Sequence, residues 1–169
     1  MHYEIVEYLT EEKLKYFIVD VIQPDFISCQ YKVKLDNRNV KIDAFFIKNN
    51  INFFVEFNGH YHYTSTKNII RDIEIREYCS INNIVLVEFP YFVQLTNKTY
   101  KIAFEKVYDS NVDIECNFSH GFMDKACTLP YDFTDIGYKR YLSDLNRFDL
   151  HDEIEKTYIN IKSNLVIPW

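Results

Sequence analysis

Between Val40 and Phe92 the chain reads as apolar runs broken by single charges. Val40–Ile47 carries Asp43, and Ile51–Phe57 carries Glu56 near its end. Lys48, Asn49 and Asn50 between them are turn residues, so the two runs predict a β-hairpin. Upstream, Thr10-Glu11-Glu12 ahead of KLKYFIVDVI predicts an N-cap, acids in the first turn and a helix to about Ile22, stopped by Pro24. Phe26–Leu35 alternates as a strand does and turns at Asp36-Asn37 into the Asp43 strand. Downstream, Asn58-Gly59 ends the Glu56 strand. Thr64-Ser65-Thr66 caps a helix from about Lys67 to Asn82, with Ile69, Ile70 and Ile73 on one face and Ile75 and Cys79 on another. That split predicts a helix covered on two sides. Ile84–Phe89, nearly all apolar and closed by Pro90, predicts a central strand covered on both faces. Residues 97–109 are helix-like, 111–130 are acidic and irregular, and two helices follow at Tyr131–Asn146 and Asp149–Asn164. The order predicts an α/β fold, a mixed β-sheet flanked by helices. Residues 1–110 form its core, and 111–169 form a mainly helical extension packed on it.

Composition narrows the class. The chain has 169 residues, 47% of them hydrophobic, with only three glycines, which suits a folded globule over disorder. No apolar run approaches the ~20 residues of a membrane span, and MHYEIVEYLTEEK has no apolar signal core. Cys29, Cys79, Cys116 and Cys127 lack C-x-x-C spacing and read as reduced thiols, so the expectation is a cytoplasmic protein without membrane contact. Net charge is −6, awkward for a binder of phosphates. The acidity is uneven: residues 105–169 hold twelve acids and seven bases, whereas residues 1–104 hold thirteen and twelve. Gln30 to Asn50 is locally basic, with Lys32, Lys34, Arg38, Lys41 and Lys48 against Asp36 and Asp43.

An acid within a β-branched and aromatic run is costly to bury unless it is paired or metal-bound. Asp43 and Glu56 on neighbouring strands come level and repel unless a cation sits between them. Two such carboxylates suit a hard ion such as Mg²⁺, with Mn²⁺ as substitute. Glu56 and Asn58 share a strand face. His62, just past the glycine turn, can fold back toward the same cavity to hold or deprotonate a metal-bound water; His60 reads as a bystander. Asp72 and Arg76 read as an i, i+4 surface ion pair, while Arg71 and Arg76 are candidates for contacting a scissile phosphate or the metal-binding acids. Cys116, His120 and Cys127 are loosely spaced and lack a fourth ligand, so zinc has little support. Phosphate-loop, dinucleotide-binding and nucleophile-elbow motifs are absent from the sequence.

Asp43, then Glu56 in VEFNGHYHY, then RDIEIREYC, then IVLVEF, together resemble the PD-(D/E)XK nuclease superfamily, in particular the branch of very-short-patch repair and small restriction-type endonucleases. The matching positions are Asp43, Glu56, Gly59, His62, Arg71, Asp72 and Arg76, and the likeness spans roughly residues 5–95. It implies a restriction-endonuclease-like fold and Mg²⁺-dependent hydrolysis of DNA phosphodiesters. Asp43 and Glu56 would be metal ligands, with Asn58 where the superfamily usually has lysine, and His62 supplying the missing function. Glu11 or Glu12 falls where relatives sometimes add a carboxylate. The expected partner is DNA, cut by a sequence-specific restriction enzyme acting as a homodimer through its C-terminal helices. The alternatives are a mismatch-nicking repair enzyme and an inactive nuclease-like module that binds DNA or protein.

Overall fold

In the computed structural model, residues 1–36, 38–122 and 130–155 are described. A four-stranded mixed sheet carries the fold, in the order β2-β3-β4-β5, with β2 (Phe26–Leu35), β3 (Arg38–Lys48), β4 (Ile51–Asn58) and β5 (Val85–Pro90). The first three strands run antiparallel, and β5 lies parallel to β4. The β3–β4 turn is built on Asn49 and Asn50, both in the left-handed region at φ 53° and 60°, where asparagine is among the best-tolerated residues. Helix α1 (Glu11–Phe17) starts on the expected Thr10 cap and continues as a π-helical turn over Ile18–Ile22, so the helical segment ends where expected. The short α2 (Tyr61–Thr64) leads into α3 (Thr66–Ile81), capped by Ser65, and α4 (Asn97–Ala103) and α5 (Asp135–Phe148) follow.

Two apolar clusters sandwich the sheet. One joins α1, α4 and α5 to Phe46, Phe53, Val55, Val87 and Phe89. The other sets Phe54, Val33, Leu35, Val40 and Ile42 against Ile75 and Cys79 of α3. Ile69, Asp72, Ile75 and Cys79 form the buried stripe of α3, while Ile70 and Ile73 are exposed, so the expected grouping of Ile69 with Ile70 and Ile73 is wrong. Strand β5 is covered on both faces, but it is the last strand of the sheet and not a central one; continuous hydrophobicity reports cover on the faces and is blind to lateral neighbours.

A second, two-stranded sheet was not anticipated. It pairs β1 (His2–Ile5) in parallel with β6 (Asp113–Cys116), within the stretch expected to be irregular. Val112, Ile114, Phe122, Tyr141, Leu145, Phe148, Leu150 and Ile154 join the same cluster as α1 and the sheet, so the C-terminal segment shares one core with the rest. The first C-terminal helix begins at Asp135, later than expected, behind a Thr134 cap. Residues 151–155 are helical as expected, and the remainder of the Asp149–Asn164 helix lies outside the described residues. Gly137 brings α5 hard against α2: a β-carbon there would sit 1.7 Å from the Tyr63 carbonyl oxygen, so only glycine fits this approach. Among the described residues no helix is long and apolar enough to cross a membrane.

Candidate metal and phosphodiester site

One row of carboxylates crosses the sheet. Glu56 on β4 stands level with Glu88 on β5. On its other side, one step past the last ladder pair of Ala44 with Val55, Asp43 on β3 comes level with it. The β3–β4 ladder stops there, and Asp43 replaces the lost partner: its Oδ2 accepts the Phe57 backbone N–H at 2.8 Å. The β2–β3 pairing continues to Leu35 and Arg38, so the two long strands leave β4 at this point as a projecting hairpin. Gln30, opposite Asp43, takes a left-handed φ of 51° at the departure.

Arg71 of α3 fills the resulting fork. Its Nη2 donates to both Glu56 oxygens (3.1 and 3.2 Å) and to the Lys41 carbonyl (2.7 Å), and its Nη1 donates to Asp72 (3.2 Å). Glu56 is almost fully buried, and burial pushes its carboxyl up to about 8; Asp43 and Asp72 add to the rise, and Arg71 opposes it. Burial also raises Asp43, with Glu11 adding to it, against the Phe57 hydrogen bond and Lys15. Glu11, held by Lys15, is thus the first-helix acid that bears on the site; Glu12 is exposed and bonded by Tyr16.

His62 does fold back over the sheet, and its Nδ1 lies 2.6 Å from Asp72 Oδ2. Ligand atoms of Glu56, His62 and Asp72 all fall within 4.8 Å of one another, a buried group that can hold a metal ion. Asp72 is therefore no surface residue. Burial alone would raise its carboxyl, but His62 and Arg140 outweigh burial and hold it below the usual range. The expected Asp72–Arg76 pair does not form; Arg76 grips Glu88 with two hydrogen bonds of 2.8 and 3.0 Å. Asn58 is fully buried with neither its amide nitrogen nor its oxygen bonded. An unsatisfied buried amide costs about 1–3 kcal/mol, so Asn58 is a free donor–acceptor on the strand face that carries Glu56.

Sequence reasoning missed the α5 contribution. Arg140 donates to Asp72, to Glu88 (2.9 Å) and to the His62 carbonyl (3.3 Å), and Arg147 donates to the Glu88 carbonyl (2.7 Å) and Asp144 (3.1 Å). Tyr63 closes the network by donating to Asp144 at 2.7 Å. Glu88 carried the same signal as Asp43 and Glu56, an acid in an apolar run, and could have been found by it. Arg140 left no such trace. Of the zinc candidates, Cys116 Sγ donates to the Phe118 carbonyl, His120 Nδ1 accepts from the Gln94 backbone, and Cys127 lies outside the described residues. Cys29, Cys79 and Cys116 are free thiols.

The fold is of the α/β class with a mixed sheet, and its site is a buried carboxylate–imidazole group ringed by arginines. The chain matches no protein-family model, no curated protein and no solved structure.

Proposed function

We propose that this protein is a metal-dependent endonuclease that hydrolyses DNA phosphodiesters, with the site chemistry of the PD-(D/E)XK superfamily. The observation that carries the reading is the buried Glu56–His62–Asp72 group, with Asp43 level with Glu56 where β3 leaves β4 and unsatisfied Asn58 on the Glu56 strand face. A buried carboxylate–imidazole group, with Asp43 free of any ion pair among the described residues and an orphaned amide oxygen on the same strand face as Glu56, fits a divalent cation. Mg²⁺ suits the oxygens, and an imidazole at the rim makes Mn²⁺ an equal fit. When bound, such an ion supplies Lewis-acid polarisation of a phosphoryl oxygen and a more acidic water.

The chain's own groups divide the remaining work. Glu56 would hold the ion, with Asp43 level with it as the second carboxylate, Asp72 in the same buried group, and the Asn58 oxygen on the same strand face. His62, oriented by Asp72, takes the proton of the attacking water. Arg71, released from Glu56, would neutralise charge on the phosphate, and Arg76 would join it only by leaving Glu88. A restriction-type enzyme working as a homodimer is the preferred form, with a repair nickase as alternative.

A second reading has its own support. Arg71 and Arg140 already neutralise Glu56 and Asp72, as an inactive nuclease-like binding module would need. Supercoiled plasmid incubated with Mg²⁺ or Mn²⁺ separates the two. An active enzyme nicks or linearises it, and Glu56→Gln abolishes that. Loss of nicking across all divalent ions, with no Glu56-dependent Mn²⁺ uptake in calorimetry, leaves the binding module.

A further inference from the structure

The hairpin of β2 and β3 reaches beyond the sheet, and its two sides differ sharply. Val33, Leu35, Val40 and Ile42 are buried against α3, and Arg38 near the tip is tied to Glu74 at 2.9 Å. The opposite side presents Lys32, Lys34 and Lys41, all exposed. Lys32 and Lys41 are direct cross-strand partners. Like charges placed opposite each other destabilise a ladder, yet among the described residues no acidic side chain pairs with any of the three. In a chain of net charge −6, three exposed lysines side by side on one hairpin form a local positive patch. Its location is specific too. Lys41 is two residues from Asp43, and its carbonyl is held by the same Arg71 that holds Glu56.

We infer that the outer side of this hairpin docks the phosphate backbone of duplex DNA through Lys32, Lys34 and Lys41, leading the strand toward the Asp43–Glu56 site. The inference rests on the nuclease reading for the identity of the polyanion. Lys32 and Lys34, two residues apart on one strand, stand about 7 Å from each other, and Lys41 faces Lys32 across the ladder. That is a rigid, non-specific electrostatic platform, which positions a duplex without reading its bases. Packing on α3 and the Arg38–Glu74 tether hold the platform in place. An anionic membrane surface would also attract the lysines, but it would gain nothing from their placement beside a buried carboxylate row.

Fluorescence anisotropy of a labelled mixed-sequence duplex, with Ca²⁺ present and without, tests the inference on the full chain. Lys32→Gln/Lys41→Gln is compared with Lys101→Gln/Lys106→Gln, which removes the same charge from exposed positions on and just after α4. Each lost phosphate contact lowers the slope of log K against log salt by about 0.9. The hairpin variant is therefore expected to lose roughly ten- to sixty-fold in affinity at 0.1 M salt and about two from the slope, while the control stays within about twofold. Equal losses in the two variants, or none in the hairpin variant, overturn the inference while leaving plasmid cleavage intact as support for the nuclease. Lysine-dependent binding to phosphatidylserine vesicles without DNA binding also overturns it. A wild-type chain that neither binds nor cuts DNA removes both readings.

Discussion

Replacing Arg140 with methionine isolates the buried ionic network that joins α5 to the site. The guanidinium is almost wholly buried, its side chain only 6% exposed, and it bonds Asp72, Glu88 and the His62 carbonyl. Methionine keeps most of the stem volume and removes the charge. Taking one partner from a buried ion pair costs about 3–5 kcal/mol, because the other charge is left without compensation. Here the acids keep other partners: Asp72 retains His62 and Arg71, and Glu88 retains the two-bonded Arg76. The lower end, about 3 kcal/mol, is therefore expected. At about 2–4 °C per kcal/mol for a chain of this size, thermal unfolding followed by circular dichroism should fall by roughly 6–12 °C. Adding Asp72→Asn to Arg140→Met should cost less than the sum of the single changes, since it removes the stranded charge. A fall under about 2 °C, or strict additivity in the double variant, refutes the network as a stabilising unit.

Two further outcomes follow from the geometry. Arg71→Gln frees both Glu56 oxygens, so Mn²⁺ uptake in calorimetry should tighten, while plasmid nicking, if present, should slow for want of the cation on the phosphate; weaker Mn²⁺ binding would show that Arg71 does not compete for the site. His120 is buried with Nδ1 accepting the Gln94 N–H, and burial holds its ring below the usual histidine range, with Lys98 adding and Glu153 opposing. A depressed folded pKa means that this contribution to stability is complete above the unfolded value of about 6.5 and fades as pH falls through the folded value. Urea unfolding midpoints of wild type should thus drop more steeply below pH 6.5 than those of His120→Asn, and parallel curves would refute that assignment.

Much of the core was legible because its signals are local. Val40–Ile47 and Ile51–Phe57 are strands joined by an asparagine turn, and Thr10 and the Thr64-Ser65-Thr66 stretch mark true helix starts. What escaped depends on partners remote in sequence. Each strand of the β1–β6 sheet has four residues, too few to show a period, and they meet across more than a hundred positions. Arg140 reaches Asp72 from 68 residues away, and nothing in DIGYKRYLSDL distinguishes it from a solvent-facing arginine. Helical spacing pairs Arg76 with Asp72, but the spacing does not show which face is buried. Asp72 belongs to the buried stripe of α3 and pairs with His62 and Arg140, while Arg76 turns to the β5 acid.

The charges around the carboxylate row are distributed unevenly along it. Glu88 is gripped by arginines from two helices, and Asp144 by Tyr63 and Arg147, so that end is balanced, while Asp72, paired with Arg140, also belongs to the group with Glu56 and His62. At the other end Asp43 has a backbone N–H and the weaker influences of Lys15 and Arg71, and the Asn58 side chain has no hydrogen-bond partner. Glu56 stands between the two ends, held by Arg71 alone among the cations. A divalent ion therefore has its largest electrostatic gain at the Asp43 side, where it neutralises Asp43 and Glu56 together and lets Arg71 go. This is also the side on which the β2–β3 hairpin leaves the sheet with its exposed lysines. On the proposed nuclease reading, ion, Arg71 and lysine platform would meet at the fork between β3 and β4, while Arg76, Arg140 and Arg147 of α3 and α5 tie down the opposite end.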